Sequence, residues 1–470
     1  MFNLHKTSYC GIFVLLLLSI LSITKIPAQT MSSEKLQSYN ELTSKMVRTV
    51  LIDQKGYGWL KELCRIGPRL SGSEKSMKAI KWAENKMKEC KFDSVWLEPV
   101  MVPHWIRGKI EQAFISKSRK YQNEKLKIVS FGGSVGTPKK GITAEVIEVK
   151  SLDETKKLGD KAKGKIVFYN RPLDQGTLNT FEAYGNAVDQ RTNGAIEAAK
   201  VGAVAVLVRS IQTKYDNVPH TGVMYYDKNV PEIPSAALGF VDADFLSKAI
   251  KLDPHLKVTI KTDCKTLPDV QSYNVIGQIT GSEKPNEVIV VGGHFDSWDQ
   301  GCGAHDDGAP SLQTMESLDL LNRMHLKPKR TIRCVLFINE ENGLRGGIEY
   351  GKYAANSKEI YLAGIESDRG AFTPRGFSVT TDSLSLLKMQ SWLPILNKTY
   401  IDWIRKGGSG GDIAQIKNAK ALLGYVPDDQ RYMDLHHSAN DVLEAVSPRE
   451  MELGTSSIAL MSYLLSQEGL

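Results

Sequence analysis

The sequence has no cysteine pattern typical of a metal site or of a disulfide framework. It contains six cysteines in 470 residues, and none of them forms a CxxC pair. Five cysteines follow residue 28, an odd number, so neither a cysteine zinc site nor a disulfide-stabilised scaffold is indicated. A bridge between Cys64 and Cys90 stays open, whereas Cys334 lies in the apolar run CVLFIN and is expected to be a buried small residue.

The sequence also lacks a run of charge of one sign and, apart from a short apolar run near its N-terminus, any segment that could cross a membrane. Its formal net charge is +7, but the basic residues are spread along the chain, so nucleic-acid binding is not indicated. The apolar run from about Gly11 to Ile23 follows a basic start and precedes IPAQT, a pattern typical of a secretory signal cleaved near Ala28. We therefore expect a secreted or periplasmic protein without stable membrane insertion; an uncleaved anchor is the alternative.

The order of the predicted elements indicates an α/β protein with a β-rich insertion. Residues from about 33 to 88 have mostly helical periodicity, and after Lys265 buried strands alternate with helices. This alternation predicts a mostly parallel mixed sheet flanked by helices. A removable pro-segment up to about residue 45 stays open. We divide the chain into a signal peptide (1–28), the N-terminal part of a catalytic domain (29–124), an inserted domain (125–262) and the main body of the catalytic domain (263–470).

The stretch GGHFDSWDQGCGAHDDG, residues 292–308, places four aspartates and two histidines close together. Neighbouring carboxylates repel each other, so they need a counter-charge. Ligands of α/β sheets bind beyond the carboxyl ends of the strands, and three predicted strands end in groups able to bind metal. Two further motifs, GAHDDG and DLHHSAND, add more such groups. The candidates are His294, Asp296, Asp306, Asp307, Glu340, Glu341, Asp368, His436, His437 and Asp441.

The donor types in this set favour zinc. Two histidines among carboxylates suit zinc better than calcium or magnesium, which prefer shells made only of oxygen. The carboxylates outnumber the ligands of one tetrahedral zinc, which indicates two ions about 3.5–4 Å apart that share a bridging aspartate. The HEXXH helix signature of single-zinc peptidases is absent from the sequence.

Individual roles follow from position along the strands. Glu340 and Glu341 can both reach a site only where their strand ends, so one can bind metal while the other serves as a general base. Asp296 is expected to accept the second ring N–H of His294 and to fix its orientation. Asp441 is expected to act in the same way on His437. The glycines at 292 and 293 let the backbone pass close to the site.

Several motifs together resemble the co-catalytic di-zinc aminopeptidase family. They are GGHFDSW, GAHDDGA, EENGLRGG, ESDRGAF and HHSAND, and further similarity in GPRLSGS, VPHWIRG and GGSVGTP extends over nearly the whole chain after the signal. The resemblance implies that residues 125–262 are a protease-associated (PA-type) domain inserted in the peptidase domain, and that the protein is a homodimer. It also implies two zinc ions per chain, with ligands assigned by position: His294 and Asp368 on one ion, Glu341 and His437 on the other, and Asp306 bridging them.

The resemblance further implies that Glu340 is the general base and that the peptide bond between Asp306 and Asp307 is cis. Two features depart from the family pattern. Pro310 is unusual at its place, although the first turn of a helix tolerates it, and the segment NRPLDQGTLNTFEAYGNAVDQ is longer than expected.

The expected function is a zinc-dependent exopeptidase that hydrolyses dipeptides or short peptides with a free N-terminus. The chemistry would use a di-zinc-bound hydroxide and a glutamate base. One alternative is a single-zinc acyltransferase like glutaminyl cyclase, and another is a non-catalytic, peptidase-like binding ectodomain. Whether His220 and His436 contact the substrate stays open, as does recognition of a substrate carboxylate by Arg345 or Arg369. His305 is expected to have no metal role.

Overall fold

The structure, a computed structural model, describes residues 31–470. The predicted signal peptide, residues 1–28, lies outside the described residues. Within them, no helix is both long and apolar enough to cross a membrane. The described chain forms two eight-stranded sheets with helices packed against them.

The strands have the following bounds, numbered in chain order: β1 (Ser94–Ile106), β2 (Glu111–Lys117), β3 (Lys125–Leu126), β4 (Ile128–Ser130), β5 (Ile142–Val149), β6 (Ile166–Tyr169), β7 (Ala205–Arg209), β8 (Ser235–Leu238), β9 (Lys257–Thr262), β10 (Lys265–Ile279), β11 (Lys284–His294), β12 (Arg330–Phe337), β13 (Ile360–Ser367), β14 (Pro374–Thr380), β15 (Trp403–Lys406) and β16 (Ala421–Pro427).

The α-helices have these bounds: α1 (Ser33–Asp53), α2 (Lys55–Ile66), α3 (Glu74–Glu89), α4 (Leu152–Leu158), α5 (Thr180–Gly185), α6 (Asp189–Thr192), α7 (Gly194–Lys200), α8 (Phe240–Leu252), α9 (Ala309–Arg323), α10 (Arg345–Asn356), α11 (Ser383–Gln390), α12 (Leu393–Leu396) and α13 (Pro448–Glu468).

The main sheet has the strand order β1-β10-β12-β11-β13-β16-β14-β15. Its four central strands, β12, β11, β13 and β16, are parallel, whereas β1, β10 and β14 pair with their inner neighbours in the antiparallel direction. Apolar clusters cover both faces, which explains why the central strands read as continuous apolar runs. The predicted α/β fold, a mostly parallel mixed sheet flanked by helices, is confirmed.

The second sheet has the order β3-β2-β9-β5-β6-β7-β8-β4 and is built from the chain between β1 and β10. It has its own apolar cluster on each face. Its first strand, β2, begins at Glu111, so the sheet starts before the boundary predicted at residue 125. The sequence does not separate this strand from the N-terminal part, because the alternating pattern EQAFISK does not show which sheet the strand joins. Pairing of β2 with β9, over a hundred residues later, decides this.

Local sequence explains where two helices beside the site begin. In α13 the side chain of Ser447 accepts a hydrogen bond from the amide of Glu450, and Pro448 occupies the first turn. In α9 Pro310 also lies in the first turn, where its missing N–H costs nothing. Almost every residue of α9 is buried, so this helix is a central support between the main sheet and the other helices.

Arg107 joins the two sheets where the chain passes from β1 to β2. This buried guanidinium pairs with Asp299 of the main body at 2.5 Å and with Glu111 of the second sheet at 3.2 Å, and it also donates to the carbonyl of Ser130. An apolar cluster that includes Ala183 and Tyr432 forms a second contact between the two parts. The second sheet therefore packs against the main body, at the edge where the parallel strands of the main sheet have their carboxyl ends.

Candidate metal centre

The candidate ligands converge because neighbouring parallel strands end at one edge of the main sheet. His294 is the last residue of β11, Glu341 follows β12, and Asp368 follows β13. Those three strands are adjacent. His437 comes from the segment after β16, the next strand along, and Asp306 comes from the loop between β11 and α9. All five predicted ligands are therefore at the same edge.

Asp306 lies between the two histidines and faces each of them with a different oxygen. Its Oδ1 lies 3.3 Å from His294 Nε2, and its Oδ2 lies 3.5 Å from His437 Nε2. Asp368 Oδ1 lies 3.4 Å from His294 Nε2, and Glu341 Oε2 lies 2.9 Å from His437 Nε2. The carboxylate of Asp306 thus has the position of a bridge between one His–Asp pair and one His–Glu pair.

These separations fit divalent metal binding. Zinc bonds to histidine nitrogen and carboxylate oxygen of about 2.0–2.2 Å, arranged as a tetrahedron, place neighbouring ligand atoms about 3.4 Å apart. The described side chains contain two groups of three that could each hold an ion. One is His294 with Asp306 and Asp368, and the other is Asp306 with His436 and His437, so the second group contains His436 and not the predicted Glu341. Within residues 31–470 the buried Oδ2 of Asp306 has no hydrogen-bond partner. A buried acceptor without a donor is an appropriate metal ligand.

The electrostatics of Asp306 agree with this arrangement. Desolvation by itself would raise the pKa of the buried carboxyl, but the hydrogen bond from His294 and the charges of His437 and His436 hold it below its usual value. Asp306 therefore stays ionised, as a metal ligand must. The cis peptide between Asp306 and Asp307, which the family resemblance implied, is present. A Cβ on Gly293 would lie 2.5 Å from Asp307 Oδ2, which explains a glycine beside His294.

Asp296 contacts His294 through a different atom from the one predicted. His294 Nδ1 lies 3.1 Å from the main-chain oxygen of Asp296 and 3.8 Å from its carboxylate. The carboxylate accepts hydrogen bonds from Ser71 Oγ at 2.9 Å and from the amide of Glu340 at 3.0 Å. The main-chain carbonyl is therefore the acceptor that orients the imidazole, and the carboxylate holds the segment that carries Glu340.

Asp441 also has partners other than the predicted one. Its carboxylate accepts hydrogen bonds from the amides of His305 and Asp306, at 2.7 and 3.1 Å. Spacing of four residues suggested contact with His437, but His437 has a positive φ of 61° and the segment is not helical. The Nδ1 of His437 instead lies 3.5 Å from Nη1 of Arg191, which is on α6, between two strands of the second sheet. Asp441 consequently positions the main chain at Asp306.

The other histidines have distinct surroundings. His305 stacks on Phe372 with ring centroids 4.4 Å apart, and its Nδ1 accepts from the amide of Ala371, so its contacts are structural. His436 stacks on His437, and its Nε2 lies 4.0 Å from Asp306 Oδ2. His220 is buried, forms a β-bridge with Ser438, and lines a small cavity together with His436. The segment of His220 therefore supports the loop that carries His437.

The two candidate arginines differ in position. Arg345 pairs with Asp269 at 2.5 Å on the surface, so its role is structural. Arg369 follows the ligand candidate Asp368 and lines a cavity of about 710 Å³ that also reaches Phe181 and Tyr425. Its guanidinium lies 4.4 Å from the centre of the Phe181 ring, and it pairs with Asp429 at 3.3 Å.

Sequence reasoning missed three contributors to the site. Ser71 stands out in the sequence only as part of the GPRLSGS motif, and Phe181 lies in the segment that is longer than the family pattern. Phe181 stacks on Tyr432, with ring centroids 5.3 Å apart. Arg191 had no signal in the sequence, because its contact with His437 joins residues 246 positions apart.

Comparison with known proteins supports the family resemblance predicted from the sequence motifs. The model of peptidase family M28 matches residues 274–459. Carboxypeptidase Q of Bos taurus is 38% identical over 403 residues, which cover 85% of this chain and 83% of that protein, and carboxypeptidase Q of Homo sapiens is 37% identical over 402 residues, with the same coverage. The chain belongs to peptidase family M28. The resemblance to carboxypeptidase Q that the motifs indicate is confirmed, and this M28 protein is accordingly a metallopeptidase, with zinc as the metal that membership implies.

Solved structures agree with the assignment to the M28 family. The crystal structure of a peptidase M28 precursor from Shewanella amazonensis matches with a TM-score of 0.87 and 29% identity, covering 93% of this M28 chain and 98% of that chain. A zinc aminopeptidase from Bacillus subtilis matches with a TM-score of 0.62, covering 88% of this chain and 95% of that one. At 19% identity the second match shows a shared fold.

Proposed function

We propose that this chain is an exported di-zinc exopeptidase that hydrolyses dipeptides or short peptides with a free N-terminus. The position of Asp306 carries the proposal, because its two oxygens face two separate histidines, each with its own carboxylate partner. In this proposal His294 and Asp368 hold one ion and Glu341 and His437 hold the other. When bound, zinc would polarise the scissile carbonyl and lower the pKa of a water molecule.

Glu340 is proposed as the general base. Its amide is fixed by the Asp296 carboxylate, and its side chain is half-buried beside the ligand candidates. Desolvation, with a contribution from the charge of Asp368, raises the pKa of Glu340 to about 8. Bound zinc, with its positive charge, would favour the ionised carboxylate, which is the form that can accept a proton. Glu340 would take the proton of the attacking water and transfer it to the nitrogen of the leaving amine.

A dipeptide is the substrate that best reconciles the relatives' names. The curated relatives are called carboxypeptidases and a structural neighbour is called an aminopeptidase. A dipeptide has one peptide bond, which adjoins both termini, so hydrolysis of a dipeptide satisfies both descriptions. Arg369 in the cavity beside Asp368 would place a positive charge where a short peptide presents its carboxylate.

We also propose that the second sheet belongs to a PA-type inserted domain and that the protein is a homodimer. The insertion lies between the neighbouring strands β1 and β10, and it brings Phe181 and Arg191 to the site. This placement supports a role in shaping the substrate cavity. Sedimentation equilibrium of the purified protein measures the number of subunits, and N-terminal sequencing of the exported protein locates the signal cleavage.

Metal content combined with a dipeptide panel tests the proposed activity. We expect about two zinc ions per chain by plasma mass spectrometry, and hydrolysis that is lost on chelation and restored by zinc. One ion per chain together with pyroglutamate formation from an N-terminal glutaminyl peptide would instead favour the cyclase-like alternative. Two ions without hydrolysis of any peptide would favour the non-catalytic ectodomain.

A further inference from the structure

Two cysteines that are distant in the sequence meet beside the metal centre. Cys64 lies on α2 and Cys302 lies in the loop between His294 and Asp306, 238 residues later, and their sulfur atoms are 2.7 Å apart. Both are free thiols in the structure. The sequence left open a bridge between Cys64 and Cys90, but the fold brings Cys64 to Cys302 instead.

The pair is more accessible to solvent than the other cysteines in the described part of the chain. Cys64 and Cys302 are half-buried, whereas Cys90, Cys264 and Cys334 are buried. A small thiol reagent can therefore reach this pair more readily than the other three. Reactivity of a cysteine depends on such access and on the fraction present as thiolate.

The main chain around Cys302 is held in place by several hydrogen bonds. Its amide donates to the carbonyl of Asp441 at 2.9 Å, and its carbonyl accepts from Arg69 Nη1 at 2.6 Å. Arg69 also donates to the carbonyls of Phe295 and Gly303. These hydrogen bonds hold the loop of Cys302 in a position where its thiol contacts that of Cys64.

The same surroundings distinguish the two thiols chemically. The hydrogen bond with Cys64 and the positive charge of Arg69 hold the pKa of the Cys302 thiol below its usual value. The pKa of Cys64 is raised, through that same hydrogen bond and through desolvation. Cys302 is therefore the thiol that ionises more readily at neutral pH, and the thiolate is the attacking form.

We propose that Cys64 and Cys302 form a reversible disulfide that ties α2 to the loop carrying the candidate metal ligands. The oxidant is a disulfide donor of the glutathione class. The Cys302 thiolate attacks one sulfur of the donor and releases one thiol; Cys64 then attacks the Cys302 sulfur of the mixed disulfide and releases the second. Two protein thiols are oxidised and one donor disulfide is reduced to two thiols, which take up the two protons.

This site extends beyond the proposed peptidase function and does not require bound metal. The bond would close a loop of 238 residues in the unfolded chain. Because a cross-link over a long loop restricts the unfolded state, we expect oxidation to raise the melting temperature by about 5 °C.

Thiol mapping of the full protein tests the proposal. The protein is incubated with oxidised glutathione or with dithiothreitol, unfolded, alkylated with iodoacetamide and digested. After oxidation we expect the peptides of Cys64 and Cys302 to be joined, with the loss of two hydrogens, while Cys90 is alkylated. After dithiothreitol both should be alkylated. Cys64→Ser and Cys302→Ser should abolish both the joined peptide and the change in melting temperature, and Cys90→Ser is the matched control that should retain them.

The proposal is overturned if neither of the two oxidants tested joins the peptides, so that both cysteines are alkylated or glutathione remains bound to Cys302 while Cys64 stays free. Oxidation with diamide, a smaller thiol oxidant, is run in parallel. The joined peptide with either reagent supports the pair; its absence with both refutes it. A joined peptide that includes Cys90 would likewise contradict the assignment.

Discussion

Asp306 and Glu340 lie among the same group of carboxylates, yet their surroundings favour opposite protonation states. Histidines on two sides hold the pKa of Asp306 below its usual value, whereas desolvation raises that of Glu340 to about 8. A ligand must remain ionised, and a general base must accept a proton and release it again. Glu341, a proposed ligand, also has a raised pKa, through desolvation and the charge of Asp306, so position relative to the histidines, and not the pKa alone, distinguishes the ligands from the base.

Replacing Glu340 tests its role without removing a proposed ligand. We expect Glu340→Gln to lower kcat about 10²–10⁴-fold, because an amide cannot accept the proton of the attacking water. Metal content should be unchanged. Dipeptide hydrolysis and plasma mass spectrometry measure the two effects, with Glu283→Gln, at an exposed glutamate, as the control. Turnover near that of the unchanged protein would show that Glu340 is not the base.

Replacing His294 should affect metal binding directly. We expect His294→Ala to lose at least one zinc per chain after dialysis, because Asp306 and Asp368 would have to hold the ion without the imidazole nitrogen of His294. Metal analysis checks this, and His255→Ala at an exposed histidine is the control. Full zinc content in His294→Ala would contradict the proposed ligand set.

At the scale of elements, α9 and α13 pack together through a buried pair of glutamates, one on each helix. Glu316 of α9 and Glu452 of α13 are both completely buried. Thr455 donates to Glu316 at 3.2 Å, and the amide of Tyr57 donates to Glu452 at 3.0 Å. Desolvation, followed by the charge of Glu452, raises the pKa of Glu316 well above its usual value. The pair therefore favours a bound proton.

This pair predicts a pH dependence of stability. A raised pKa means that the folded protein keeps a proton that the unfolded chain releases above about pH 4.3. The free energy of unfolding should therefore fall as the pH rises from that value, by up to about 1.4 kcal/mol per pH unit for one proton. We expect Glu316→Gln to remove part of this slope, so that its stability relative to the unchanged protein increases with pH.

Urea unfolding at a series of pH values between 4 and 8 measures the effect. Glu41→Gln, an exposed helical glutamate, should leave the slope unchanged. An equal slope in Glu316→Gln and in the unchanged protein would show that Glu316 has an ordinary pKa in the folded state.

At the scale of the whole molecule, residues from several distant segments complete the centre. The segment of the second sheet contributes Arg191 beside His437, and the amide of Thr221 donates to the carbonyl of His437 at 2.9 Å. The N-terminal region contributes Ser71 through Asp296. Ions bound at such a junction connect parts of the chain that are far apart in the sequence, so metal binding should stabilise the fold as a unit.

Removal of the metal should accordingly lower the melting temperature. A ligand that binds only the folded state at a thousand times its Kd contributes about 4 kcal/mol, which corresponds to about 4 °C for a chain of this size. We expect chelation to cause a shift of this order and added zinc to reverse it, as measured by calorimetry. The chelator should have a smaller effect on His294→Ala. If chelation left the melting temperature of the protein without substitutions the same, the ions would not stabilise the fold.

Much of the molecule was predictable from local sequence. Apolar runs that alternate with helical periodicity indicated the parallel strands, and ligands at strand ends follow from the geometry of such sheets. His294, Asp368 and Glu341 could be proposed as candidates because His294 ends a recognisable strand, Asp368 directly follows one, and Glu341 lies four residues after one. The start of the second sheet at Glu111 could not, because an alternating strand does not specify its partner.

The sequence by itself determined which donors are available and on which strands they lie, since residue type and periodicity are local properties. Only the tertiary structure decided which atoms meet. The carbonyl of Asp296 faces His294, the carboxylate of Asp441 holds the amide of Asp306, and Cys302 lies against Cys64. These contacts depend on how loops return to the sheet edge, and the packing of distant segments sets that path.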